Sequence, residues 1–348
     1  MSKHIGKQSM GFDTKPRIRS SGSIVGEVEG NGPIGKYFDT ILQDDTWGEK
    51  SWERAERKMF EQAVRLAVNK AGFTPEGLDC LLGGDLLNQI ISANFAAREL
   101  RTPYLGLYGA CSTMAESLMI GSMMIDGGYA NRVACVAGSH FSTAERQYRL
   151  PLEMGGQSTP TSQRTVTGVG CLVLTDENDF DIFTDQRAFD KRICVTSATI
   201  GRVVDFGITD ANNMGAAMAP AAFETLEAHF RDMGSTLKDY DLIITGDLGD
   251  FGTEMLKELC MDKGIDLGDK HVDCGNIIFE KSASIMCGAS GCGCSAVTLG
   301  SYLLKRMEEG DFKKALFMAT GALLSPSTTM QGDSIPSIAH AVVIERQD

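Results

Sequence analysis

Two stretches of the chain, AGFTPEGLDCLLGGDL from Ala71 to Leu86 and MGSTLKDYDLIITGDL from Met233 to Leu248, align without a gap when the sequence is shifted by 162 residues. Six of the sixteen positions are identical: Gly72/Gly234, Thr74/Thr236, Asp79/Asp241, Gly84/Gly246, Asp85/Asp247 and Leu86/Leu248. Average residue usage gives about one chance identity in such a window, so the excess indicates an internal duplication. Upstream, Ser51 can cap a helix that keeps Ala55, Met59, Phe60, Ala63, Val64, Ala67 and Val68 on one face, and Gly72 ends it. Its counterpart, Ala219 to Met233, sets Ala222, Leu226 and Phe230 in phase with Phe60, Val64 and Val68.

Each half then presents a glycine-flanked turn, an apolar helix and a strand, first in GACSTMAESLMIGSMMIDGGYANRVACVAG and again in GASGCGCSAVTLGSYLLKRMEEGDFKKALFMATG. Helices alternating with short β-branched strands predict parallel sheets covered on both faces. The expected fold is α/β with five layers, αβαβα. The first half spans residues 1–185 and the second 186–348, with the apolar helices 112–127 and 294–308 in the middle. The N-termini of both central helices would meet in one crevice beyond the carboxyl ends of the strands, where ligands of open α/β sheets bind.

The 348 residues carry 33 Lys and Arg against 46 Asp and Glu, a formal net charge of −13. With a pI near 4.9 and no basic run, the chain lacks the footprint of a nucleic-acid binder. Met1 to Phe12 has no apolar region typical of a secretory signal, and the longest apolar run, Leu118 to Ile125, is interrupted by Gly121 and Ser122. That run is far shorter than the ~20 residues a spanning helix needs, so a soluble protein is expected. Ten cysteines without paired spacing indicate a reducing compartment. Cys80, Cys135, Cys171 and Cys194 sit in β-like runs and read as small core residues.

Cys111, in Gly109-Ala110-Cys111-Ser112, heads the first central helix. Unpaired N–H groups and the helix dipole there favour a thiolate, the setting of a nucleophile; a buried structural thiol is the competing reading. The duplication, with a cysteine at this place, resembles the thiolase superfamily, which includes thiolases and β-ketoacyl condensing enzymes. More closely, the ordered blocks SWERAER, GDLLNQ, GACSTM, TAERQYR, TVTGVG, GRVVDFGITD, MGAAMAPAA, ITGDLG, SGCGCSAV, ATGALLSP and IPSIAHAVVIER, from about Gly32 to Arg346, resemble the stage V sporulation protein AD family of endospore-forming bacteria.

That resemblance implies binding of dipicolinic acid (pyridine-2,6-dicarboxylate), alone or as its calcium chelate, during uptake into the developing spore. The same resemblance implies membrane-embedded partners in one transport system, a homodimer, and peripheral placement at the spore inner membrane. In the superfamily pattern a His follows the strand Asp241 to Thr245 and an Asn opens the turn before the second central helix. Here Gly246-Asp247-Leu248 and Gly288-Ala289-Ser290-Gly291 stand in those places. An ionised Asp247 donates no hydrogen bond and would repel an oxyanion, and losing even one oxyanion donor costs on the order of 10²–10³ in rate. A non-catalytic protein is expected; an acyl-thioester enzyme using Cys111 is the alternative.

Glycine-rich entrances at two helix N-termini can still offer backbone N–H groups to a carboxylate. The candidate ligand-binding residues are Cys111, His140, Arg146, Arg149, Asp247, Ser290 and His340. Arg146 and Arg149 can supply guanidinium forks or simply pair with surface carboxylates. His140 follows the strand Val133 to Gly138 and is either a ligand contact or a satisfied loop histidine, and His340 enters the last strand, near the reaction centre of the superfamily. Cys287, Cys292 and Cys294 do not form the paired spacing of a zinc site, and neither GVGCLVL nor GASGCG completes a nucleotide-binding fingerprint. No cofactor is expected. Pro151 to Thr165, rich in polar and turn residues, reads as a surface excursion that can cover the crevice or reach a partner subunit.

Overall fold

The computed structural model describes residues 3–149, 159–176, 191–282 and 284–347. The first half contributes β1 (Arg17–Val25), β2 (Cys80–Gly84), β3 (Tyr104–Gly106), β4 (Arg132–Ser139) and β5 (Gly168–Thr175). The second contributes β6 (Arg192–Thr199), β7 (Leu242–Thr245), β8 (His271–Asp273), β9 (Lys314–Ala322) and β10 (Ser337–Gln347). Hydrogen bonding orders them β1-β5-β4-β2-β3 and β6-β10-β9-β7-β8, so each strand of one half has its counterpart five places on. The proposed boundary between residues 185 and 186 lies outside the described residues.

Two features differ from the expected parallel sheets. In each half four strands run parallel while the fifth, β5 or β10, runs antiparallel to both of its neighbours. A strand buried on both faces shows the same apolar run whichever way it points, so direction is not written in its local pattern. The two half-sheets also touch. Ile193 and Cys194 of β6 pair with Ile18 and Arg17 of β1, and the N-terminal strand Ser9–Gly11, which forms a hairpin with His4–Ile5, also pairs with β6 of the other half.

Six longer helices cover the strands: α1 (Trp52–Lys70), α2 (Ile91–Leu100), α3 (Thr113–Asp126), α4 (Met214–Met233), α5 (Gly249–Met261) and α6 (Cys292–Thr298). Ser51 caps α1 as expected, its hydroxyl accepting from Arg54 N. Helix α4 begins five residues earlier than the sequence pattern indicated: Asn213 caps it through Ala216 N, and Pro220 is tolerated inside it.

Alternation along the strands divides the apolar side chains among three cores. Leu82, Cys135, Leu172 and Phe317 face the middle, against Met114 and Leu118 of α3 and Val297 of α6. Leu81, Val136 and Val173 face outward onto Phe60 and Val64 of α1 and Ala96 of α2. Ile243, Leu316 and Val343 face the other way, onto Leu226 of α4 and Leu256 of α5. One core between the two half-sheets and one on the outer face of each make the five layers. Each buried Leu, Ile or Phe contributes about 1.5–3 kcal/mol, and α3 and α6, apolar nearly all round, are held from both sides.

Candidate functional site

A cavity of about 360 Å³ opens where α3 and α6 begin, at the carboxyl ends of the parallel strands. Cys111 and Ala110 line it from the turn that enters α3; Ser290 and Gly291 line it from the turn that enters α6. The expectation that both central helices point at one crevice is therefore realised. Leu86, Tyr108, Ala144, Tyr148, Met214 and Leu324 make most of the remaining wall apolar or aromatic. Both phenols turn to the rim: Tyr148 Oη and Tyr108 Oη each donate to the Leu86 carbonyl oxygen.

Asp247 organises the floor. It is fully buried in the loop that follows β7. Its Oδ2 accepts from Ser290 Oγ (3.0 Å) and Gly291 N (3.1 Å), its Oδ1 accepts from Thr320 Oγ1 (2.8 Å), and the Cys111 thiol donates to the same carboxyl. Gln163 Nε2 fixes the Asp247 carbonyl (2.6 Å) and that of Ala289 (2.8 Å), joining the short pair Arg164–Thr165 and Ala289–Ser290 to the loop. The N–H at the head of α6 was expected to be open to a ligand carboxylate. It instead holds the protein's own carboxylate, because a helix N-terminus takes whichever anion the fold delivers.

The surroundings of the Cys111 thiol disfavour its ionised form. Burial pushes its pKa well above the usual value, the neighbouring Asp247 charge pushes it further, and Cys292 adds to both, opposed by a hydrogen bond from Gly291 N. Asp247 is itself raised by burial, with its donors Cys111, Thr320, Gly291 and Ser290 pulling the other way. Three carboxyl-stabilising donors and one thiol donor leave no free N–H or hydroxyl of this set aimed at an oxyanion. The helix dipole that was expected to favour a thiolate is outweighed by desolvation and a like charge.

The remaining candidates scatter. His140 is buried and caps the short helix Phe141–Ala144, its Nδ1 accepting from Ser142 N while Nε2 meets the Asp45 carbonyl oxygen at 2.7 Å. Both ring nitrogens are engaged away from the cavity, so it is a satisfied loop histidine. His340 accepts from Gly201 N at 3.1 Å and is neutral, with burial lowering its pKa to about 4; it does not line the cavity. Arg146 turns outward to pair with Glu53 and lie over the Trp52 ring. Arg149 ends a π-helical turn, Glu145–Arg149, and its side chain lies outside the described residues, as does most of the 151–165 excursion.

Among the described residues the cavity lining contains one carboxylate, Glu145, and no Lys or Arg. Sequence reasoning missed Thr320, Gln163 and the two tyrosines. Tyr148 stood in the quoted block TAERQYR, where arginines drew attention, while Ala144 and Tyr148 at helical spacing face the cavity. Cys287, Cys292 and Cys294 each have a separate contact: Phe251 N donates to Cys287, Cys292 donates to the Ala110 carbonyl (2.8 Å), and Cys294 to that of Gly246 (3.2 Å).

The strand order, the duplicated helices and the cysteine at the head of α3 define a thiolase-like protein. Solved structures agree at the level of fold: 3-oxoacyl-[acyl-carrier-protein] synthase III from Aquifex aeolicus is 15% identical with a TM-score of 0.55, covering 95% of this chain and 99% of that one. Human mitochondrial 3-ketoacyl-CoA thiolase is 13% identical with a TM-score of 0.57, covering 99% and 100%. The sequence matches the family model for stage V sporulation protein AD (SpoVAD) over residues 6–345, and it is 44% identical over 344 residues to stage V sporulation protein AD of Bacillus subtilis (strain 168), covering 99% of this chain and 98% of that one. The chain belongs to the SpoVAD sporulation family.

Proposed function

We propose that this protein is a non-catalytic, thiolase-fold binding protein for dipicolinic acid that supports its uptake into the developing spore. The observation that carries the reading is the Cys111–Asp247 contact at the floor of a cavity sized for a small aromatic ligand. A condensing enzyme needs a thiolate and donors for the developing oxyanion. This floor offers a protonated thiol beside a carboxyl, while the apolar and aromatic walls suit a flat ring.

The charge of the lining selects the form of the ligand. Among the described residues the lining holds no Lys or Arg, so a free dianion would enter at a desolvation cost. A one-to-one calcium chelate of dipicolinate is neutral, the cation taking up the charge of both carboxylates, and avoids that cost. The chelate is therefore the form of dipicolinate that this lining suits better. Delivery to membrane-embedded partners, peripheral placement at the spore inner membrane and a homodimer complete the reading. No helix among the described residues is long and apolar enough to cross a membrane, and the edge strand β3 leaves Leu105 half exposed, a surface a second copy can cover.

Calorimetry and thermal unfolding test the reading with the full chain. Dipicolinate with calcium gives saturable heat and raises the melting temperature, and Ala144→Phe, which fills the cavity, removes both effects. Millimolar dipicolinate without heat or protection, with calcium and without, overturns it. Incubation with acyl-CoA donors followed by intact-mass measurement tests the enzymatic alternative; an adduct lost in Cys111→Ala would establish acyl transfer.

A further inference from the structure

One wall of the central cavity rests on two buried carboxyls that do not line it. Glu56 of α1 and Asp85, just past the end of β2, are both fully buried. Ser92 of α2 stands between them, its hydroxyl facing Glu56 and its N–H facing Asp85. The Thr143 hydroxyl of the helix Phe141–Ala144 reaches Glu56, and the Cys292 thiol of α6 and the Tyr104 phenol of β3 complete the polar surroundings. Among the described residues no Lys or Arg forms an ion pair with either carboxyl. Burial raises the pKa of both, and the Asp85 charge raises that of Glu56 further.

The hydrogen bonds around Glu56 call for a proton on it. Thr143 Oγ1 lies 2.9 Å from Glu56 Oε2 and 3.0 Å from the His140 carbonyl oxygen, two acceptors for one hydroxyl hydrogen. Glu56 Oε1 and the Ser92 hydroxyl beside it have no partner in good hydrogen-bond geometry. A carboxylate at Glu56 leaves one of these acceptors short. A carboxylic acid instead donates to Thr143, which then donates to His140, or donates through Oε1 to Ser92. Asp85 has the opposite need. It must remain an acceptor, because Leu87 N and Ala93 N both donate to it, each at 2.8 Å. Between those two donors the chain passes through Gln89 and Ile90 with φ of +62° and +46°, left-handed at two successive side chains, one of them β-branched.

We propose that Glu56, Ser92 and Asp85 form a proton-controlled latch beneath the central cavity: a proton on Glu56 keeps the loop from Asp85 to Ile90 in place, and its loss loosens that loop and the cavity wall it carries. Leu86 and Asn88 of the loop line the cavity. The Leu86 carbonyl accepts from Gln147 (3.1 Å) and Tyr148, in the helical turn that continues from Thr143, and Gln147 accepts in turn from Asn88 N (2.9 Å). The two segments that the carboxyls hold therefore meet at this wall. When Glu56 ionises, a second charge enters the same buried place with no cation to offset it and repels Asp85. The latched state binds the proton more tightly than an opened, solvated one, so the latch is favoured at lower pH and is lost as pH rises. Its effect on ligand rests on reading the central cavity as the dipicolinate site; the latch itself does not.

Hydrogen–deuterium exchange of the full chain between pH 6 and 9, read by mass on peptides covering residues 86–94 and corrected for the intrinsic exchange rate, tests the latch. Relative to the amides of β9 in the other half, protection of 86–94 should fall several-fold as pH rises in the parent. In Glu56→Gln, which keeps the shape and cannot ionise, it should stay level. Calorimetry with calcium dipicolinate should show several-fold weaker binding to the parent at pH 8.5 than at 6.5, and equal binding to Glu56→Gln at both. Should dipicolinate not bind at all, the dipicolinate reading falls and exchange alone decides the latch. Parent protection that does not change with pH overturns the latch, and needs no variant to fold. So does a pH dependence that Glu56→Gln retains, or bound dipicolinate whose affinity is the same at both pH values.

Discussion

Asp85 and Asp247, equivalent positions of the two repeats, are both fully buried at the ends of β2 and β7, yet they join different parts of the molecule. Asp85 accepts from Leu87 N and Ala93 N, each at 2.8 Å, and so ties its own loop to α2 within the first half. Asp247 accepts from Ser290, Gly291, Thr320 and the Cys111 thiol, and so ties the second half to the head of α3 in the first. One inherited carboxylate keeps a loop in place; its copy holds the centre of the site.

Removing the Asp247 charge should wake the thiol. In Asp247→Asn the like-charge repulsion on a Cys111 thiolate disappears while burial remains, so its pKa falls without reaching that of a free cysteine. Below the pKa each unit of decrease raises the thiolate fraction about tenfold. Alkylation of Cys111 by iodoacetamide, followed by intact mass at pH 8, should accelerate about tenfold or more over the parent; equal rates would show that Asp247 does not control the thiol.

Thr320 is the support beneath that carboxyl. Its hydroxyl donates to Oδ1 and accepts from Asp247 N at 3.3 Å. Thr320→Val keeps the shape and leaves a buried carboxyl oxygen and an N–H unpaired, a loss of about 1–3 kcal/mol. Thermal unfolding should show a melting temperature lower by several degrees, restored by Thr320→Ser. A valine variant as stable as the parent would mean that the carboxyl repairs itself with water.

The repeat was the most legible part of the sequence. Its shift of 162 residues carries α1, Trp52–Lys70, onto residues 214–232, and the second helix is observed at Met214–Met233. Cys111, Ser290 and Asp247 were also recoverable, because each stands at a strand end or helix head whose place the repeat fixes. Arg146 was not. In a helical turn that shows Ala144 and Tyr148 to the cavity, residue 146 faces the opposite side, and only the position of Glu53 and Trp52 there decides its partner. The capture of the α6 N-terminus by Asp247 depends on two loops more than 40 residues apart, so no local pattern records it.

Gly291 should tolerate no side chain. Its φ is +101°, a region that L side chains rarely adopt, and a Cβ there would stand 2.7 Å from Ser139 Oγ and 3.0 Å from Thr165 Cγ2. Gly291→Ala combines backbone strain of about 1–2 kcal/mol with displacement of the cavity wall. Denaturant unfolding should lose at least that much, together with affinity for the central ligand. Parent-like stability would imply that the turn entering α6 can rearrange freely.

Asp273 should make stability depend on pH in a direction opposite to an ordinary acidic group. It is fully buried next to Asp247, and burial, opposed by donors from Thr245, Leu248 and Gly249, raises its pKa to about 7. An unfolded aspartate titrates near 3.9, so between these values the folded state binds the extra proton. Its contribution is complete below about pH 4 and is lost as pH rises through 7. Glu29 at about 7 and Asp85 at about 6 act in the same sense. His229, His271 and His340, each lowered to about 4 by burial, act oppositely, adding stability as pH rises from 4 to about 6.5 and nothing beyond. The window from about 6.5 to 8 therefore belongs to the carboxyls, and the melting temperature should fall across it. Asp273→Asn cannot titrate there. The stability gap between parent and variant should be widest at about pH 4 and narrow steadily towards pH 8; a gap independent of pH would show that Asp273 keeps an ordinary acidity inside the fold.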